Sequence, residues 1–140
     1  MATVGHNEPV QIKQLRILAT VLLGFAIGQV GLGSGYLDGV AVLLIAHATN
    51  AFAVLVLTVL SAIFGFNYRR AGGPGWAFFL PLAMVAMAGI QITLGFAGIR
   101  GFHVFWGALY LSMATAFCSY TWRHRPAGTA QPAAKASSAR

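Results

Sequence analysis

Apolar residues run almost unbroken over four stretches of the chain, near 15–35, 40–66, 76–99 and 102–122. Each is close to the roughly 20 residues an α-helix needs to cross the hydrocarbon core of a bilayer. Helices are required there, because backbone polar groups in lipid must be satisfied within their own segment. The breaks are marked by Gly, Pro and polar residues: Gly33-Ser34-Gly35-Tyr36-Leu37-Asp38-Gly39, then Asn67-Tyr68-Arg69-Arg70-Ala71-Gly72-Gly73-Pro74-Gly75, then Gly98-Ile99-Arg100-Gly101. Such residues end helices, and short breaks make successive helices antiparallel neighbours. The expected fold is all-α: an integral membrane four-helix bundle of two tandem helical hairpins.

Composition supports the same picture. Of 140 residues, 58% are hydrophobic and 8% charged, whereas a soluble domain carries about a quarter charged residues. The acids are Glu8 and Asp38 alone, too few to build a wetted surface. The net charge of +7 does not indicate nucleic acid, because the basic residues do not form one stripe. They stand at the ends of the apolar stretches. Lys13, Arg16, Arg69, Arg70, Arg123, Arg125, Lys135 and Arg140 fall on one side and Arg100 on the other. The positive-inside rule then predicts an integral membrane protein, of the bacterial inner membrane, with both termini cytoplasmic. Tyr36, Tyr68, Trp76 and Trp122 fall near the expected interfaces, as an aromatic belt does. The first apolar stretch is too long for a signal h-region, and it reads as a retained helix after a polar segment over 1–14. The segment 124–140 has no core-forming residues and reads as a disordered cytoplasmic tail. His6 and His124 are expected to be solvent-exposed. Cys118 is single, which excludes an internal disulfide; it reads as a small buried hydrophobe. Pro81 is expected to kink the third helix.

Candidate chemistry comes from an internal repeat. Gln29 and Gly33 near the end of the first helix are echoed by Gln91 and Gly95 near the end of the third, both as Gln-x-x-x-Gly. The helix after each carries one histidine near its start, His47 and His103, with a small residue, Ala51 or Gly107, four positions on. A repeat of two helices has as its natural symmetry a pseudo-twofold axis along the membrane normal. Such an axis sets His47 and His103 at matched depth, facing each other across the bundle. Bundle sites for metals and cofactors are built from such inward side chains. A zinc site normally takes three or four protein ligands, and no third ligand stands nearby. Heme iron with two axial histidines is the centre expected. Gly31, Gly33, Gly95, Ala51 and Gly107 would give clearance for a macrocycle, Gln29 and Gln91 would lie at its edge, and Arg100 would pair with a propionate. Taken singly, each residue has a plainer explanation. A histidine, glutamine, Asn50 or Thr49 can hydrogen-bond a neighbouring helix, glycines permit close packing, and Arg100 can anchor at the interface.

The paired histidines at the starts of the even helices, with Gln91 to Gly95 ahead of His103, resemble the heme A synthase family over about 15–123. That resemblance implies a four-helix heme-binding bundle with His47 and His103 as iron ligands. The family has two such bundles, and this chain has one. It also carries a carboxylate a few residues before the first histidine, and here the matching position, near Leu44, is apolar. No acid–base group is thus placed for oxidation at a heme substituent.

Three functions remain open at this level. The first is a membrane b-type cytochrome, with a quinone, a redox protein or a larger membrane complex as electron partner. The second is a non-redox membrane subunit or assembly factor, and the third is a heme-modifying enzyme working as a homodimer. A transporter fits less well, because four helices enclose little volume and no acid lies in mid-membrane.

Overall fold

The computed structural model describes residues 9–126. They form four helices: α1 (Val10–Leu37), α2 (Leu43–Arg70), α3 (Trp76–Phe96) and α4 (Arg100–Arg123). Each is long and apolar enough to cross a membrane. Successive helices pack side by side and α4 returns to α1, so α1 faces α3 and α2 faces α4 across the diagonals. The arrangement is the all-α four-helix bundle expected. One end gathers Arg16, Arg69, Arg70 and Arg123; the other carries Arg100 and both intramembrane histidines.

Helix ends differ from the sequence expectation by a few residues, for physical reasons. The first helix is expected to begin near residue 15, after a polar segment, yet α1 starts at Val10, just after Pro9. Ile12 and Leu15 stand three apart on one face and are fully buried, so the polar first turn is amphipathic and gains tertiary packing. The second helix runs on to Arg70 because Tyr68 is buried and Arg69 and Arg70 sit favourably at the negative end of the helix dipole. The third stops at Phe96, and α4 begins at Arg100. Gly98, at φ +70°, makes the left-handed turn that ends α3. Its N–H donates to the Gly95 carbonyl at 3.1 Å and the Ile99 N–H to the Leu94 carbonyl at 3.1 Å, the paired bonds of a Schellman motif. Gly72, at φ +90°, ends α2 in the same way. Residues 1–8 and the tail from 127 on lie outside the described residues.

At the arginine end α1 clamps the last turn of α4. Arg16 Nε donates to the Thr121 carbonyl and its Nη2 to the His124 carbonyl, both at 2.9 Å. These carbonyls lie at a helix C-terminus, where partners within the helix run out. The guanidinium also lies over the Trp122 ring, 5.5 Å from its centre. His124 is not solvent-exposed as expected: it is half-buried, its Nε2 2.9 Å from the Tyr68 hydroxyl and its ring 5.6 Å from that of Trp76. A charged side chain on the packed neighbour α1, more than a hundred positions away in sequence, holds the chain end there, and local composition carries no sign of it. Arg16→Met keeps the aliphatic stem and removes the donors. It lowers the unfolding free energy in detergent by about 2 kcal/mol; unchanged stability would refute the clamp.

Packing is uneven along the bundle axis. The buried residues of α1 end at Ala26 and those of α3 at Ala88; those of α2 begin at Val54 and those of α4 at Tyr110. At the arginine end burial reaches almost to the helix termini, through Ile12, Tyr68, Ala77 and Thr121. At the histidine end no residue of any helix is buried over 27–37, 43–53, 89–96 or 100–109. At 1.5 Å per residue this is roughly 12–16 Å of bundle whose interior side chains do not close into a core.

Candidate cofactor site between α2 and α4

Two half-sites of the same design face each other in this half of the bundle. Position 47 is one turn into α2, and position 103 stands likewise near the start of α4. Their imidazole centres lie 5.8 Å apart, with ring planes at 64°. Each ring lies beside the glutamine and glycine of the preceding helix. His47 Nδ1 is 3.1 Å from the Gln29 carbonyl oxygen, and His103 Nδ1 is 3.0 Å from that of Gln91. A carbonyl only accepts, so both Nδ1 atoms carry the proton and both Nε2 atoms hold a lone pair.

The hydrogen-bond network around His47 fixes this assignment independently. The Asn50 amide nitrogen donates to the Phe25 carbonyl at 3.0 Å and to Gln29 Oε1 at 2.6 Å. With its oxygen so used, the Gln29 amide turns its Nε2 to His47 Nε2, 3.1 Å away. An N–H faces that nitrogen, so Nε2 must be the acceptor. The intramembrane glutamines and the asparagine thus bond across helices, as the plainer reading of each suggests, and they also orient the rings. Carbonyl support at Nδ1 is how proteins orient an imidazole whose other nitrogen binds metal.

Glycines make the ring seats possible. A Cβ on Gly33 would stand 2.9 Å from His47 Cε1, and one on Gly95 would stand 3.1 Å from His103 Cε1. Both lie inside ordinary van der Waals contact. A Cβ on Gly107 would meet Gln91 Nε2 at 2.8 Å. Gly31 has no such neighbour, so its clearance role does not follow from packing. Arg100 is exposed at the first residue of α4 and makes no hydrogen bond to either histidine among the described residues. It lies one turn outward of His103, on the same face.

Sequence reading missed one residue on each side: Asn50, treated as generic helix glue, and Trp106. The signal was present, because the two stand at the same position of the repeat, three residues after each histidine. Trp106 Nε1 donates to the Met87 carbonyl at 3.2 Å, the counterpart of the Asn50 bond to Phe25. Phe25 and Met87 each stand four residues before their glutamine.

Among the described residues no group of three His, Cys, Asp or Glu side chains converges. The donor set is therefore two imidazoles. Metal–imidazole nitrogen bonds of about 2.0–2.1 Å on each side of one ion would set ring centres about 6 Å apart, near the separation observed. Two protein ligands suit an ion whose other positions are filled by a macrocycle. No family model matches this chain, and neither does any curated protein or solved structure.

Proposed function

We propose that this chain is a membrane b-type cytochrome, holding one heme between His47 and His103 and passing single electrons. One observation carries the reading. The two imidazoles meet across the α2–α4 diagonal, each with Nδ1–H tied to a backbone carbonyl and a lone pair on Nε2, in the half of the bundle that lacks its own core. No side chain in this half is buried, so its apolar faces lack the contacts a closed core would give them. Burial of a flat, apolar macrocycle there would restore them.

A bound heme would supply the one-electron couple; the chain supplies ligands, orientation and dielectric. His47 and His103 would hold the iron from two sides. Gly33 and Gly95 seat the rings, and Arg100, at the mouth of the site, has the charge and the fork geometry to pair with a propionate. Imidazole on both sides suits electron transfer over oxygen binding. By the positive-inside rule the arginine end is cytoplasmic, as are both termini, and the site opens toward the outer face of a bacterial inner membrane. A quinone or a redox protein meeting that face, or a larger membrane complex, would exchange electrons with it. The likeness to heme A synthases supports heme binding more than synthase chemistry, since the only acid among the described helices and turns is the exposed Asp38.

The test is the visible spectrum of detergent-purified protein from heme-replete cells. A sharp Soret band and a narrow α band on reduction are expected. A well-folded, colourless preparation would overturn the proposal.

A further inference from the structure

The two half-sites differ in one atom. Gln91 Oε1 is buried and has no hydrogen-bond partner among the described residues, whereas its counterpart Gln29 Oε1 accepts from Asn50. Asparagine at position 50 has two N–H groups and serves both Phe25 and Gln29. Tryptophan at position 106 has one, and spends it on Met87. Turning the Gln91 amide over gives no relief. It would face an oxygen toward His103 Nε2, whose lone pair needs a donor while Nδ1–H is held by the Gln91 carbonyl. The contact from Gln91 Nε2 to His103 Nε2 is also the longer of the two, at 3.4 Å against 3.1 Å.

From this asymmetry we infer that the site has one fixed and one exchangeable ligand: His47 stays on the iron, and His103 gives way to water hydrogen-bonded by Gln91. The inference rests on the heme reading above. When each Nε2 lone pair is taken by iron, both glutamine amides lose their imidazole partner. Gln29 remains tied to Asn50. Gln91 is left with no side-chain partner at all, and a buried amide so stranded is unfavourable enough to shift an equilibrium roughly tenfold or more. Release of His103 returns Nε2 to the Gln91 N–H, while Oε1 accepts from a water that takes the open position. One dative Fe–N bond breaks, one Fe–O bond forms, and no electron or proton changes hands.

Carbon monoxide binding to the reduced, heme-loaded full-length protein tests this, because it reads how readily one axial position opens. The wild type binds the gas. Trp106→Asn gives Gln91 the donor that Gln29 has and slows uptake roughly tenfold. Asn50→Leu strands Gln29, loosens His47 and speeds uptake by a similar factor. Equal uptake by coloured wild type and both variants overturns the inference and leaves the heme reading standing. If Trp106→Asn does not fold, Asn50→Leu decides alone: uptake no faster than wild type overturns it. A colourless protein overturns both.

Discussion

Alanine in place of His47 abolishes the Soret band of the purified protein, whereas His103→Ala, which leaves the fixed ligand in place, weakens and shifts it. The expectation follows from the donor set. Only two imidazoles converge, with no third metal-binding side chain among the described residues to take over. The folded bundle survives both changes, because no residue in the histidine half is buried and the core lies wholly beyond Ala26, Val54, Ala88 and Tyr110. Unchanged helical content in a colourless variant therefore identifies a ligand rather than a fold defect. Changes one layer out are smaller. Gly33→Val pushes the His47 ring off its carbonyl, and a lost supporting contact of this kind typically costs 10–100-fold in metal affinity. A wild-type spectrum retained by His47→Ala or His103→Ala would remove these residues from the site.

Much of this was legible in the chain. Long apolar runs bounded by glycine gave the four helices, because lipid leaves the backbone no alternative. The Gln-x-x-x-Gly and histidine repeat gave the pairing of Gln29 with His47 and of Gln91 with His103, since a two-helix repeat returns equivalent residues to equivalent depth. Three things were not legible. The first turn of α1 is helical because Ile12 and Leu15 meet partners from other helices, and a polar turn read locally cannot show that. Arg16 reads as an interfacial cation from its position alone; its bonds to the Thr121 and His124 carbonyls join residues a hundred positions apart. The third is the inequality of the half-sites. It arises from counting N–H groups at positions 50 and 106, and the count matters only once the geometry has set both beside a glutamine.

Gly65→Val is expected to destabilise the bundle by more than about 3 kcal/mol, enough to prevent recovery of folded protein. Gly65 is buried where the last turns of α2 meet the first turn of α3, and a Cβ there would overlap the Ala77 carbonyl and crowd the Phe78 backbone. The carbonyl is oriented this way for a reason one turn further on. Pro81, fully buried within α3, has no N–H to give the carbonyl four residues before it, which is that of Ala77. The glycine lets the α2 backbone come close enough for its Cα–H to face this freed oxygen, a weak contact that small residues permit between membrane helices. The clash is with backbone rather than with a pliable side chain, so relief requires the two helices to part. Gly65→Ala should already cost about 1–3 kcal/mol. The outward glycines predict the opposite sign: nothing lies within 4 Å of a Cβ at Gly24 or Gly28, and alanine there gains about 0.5–1 kcal/mol of helix propensity. Unfolding in detergent, followed by loss of helical signal, reads the three alanine variants on one scale, and the yield of folded protein reads Gly65→Val. If Gly65→Ala proved as stable as Gly24→Ala, close α2–α3 contact at Ala77 would no longer account for the glycine.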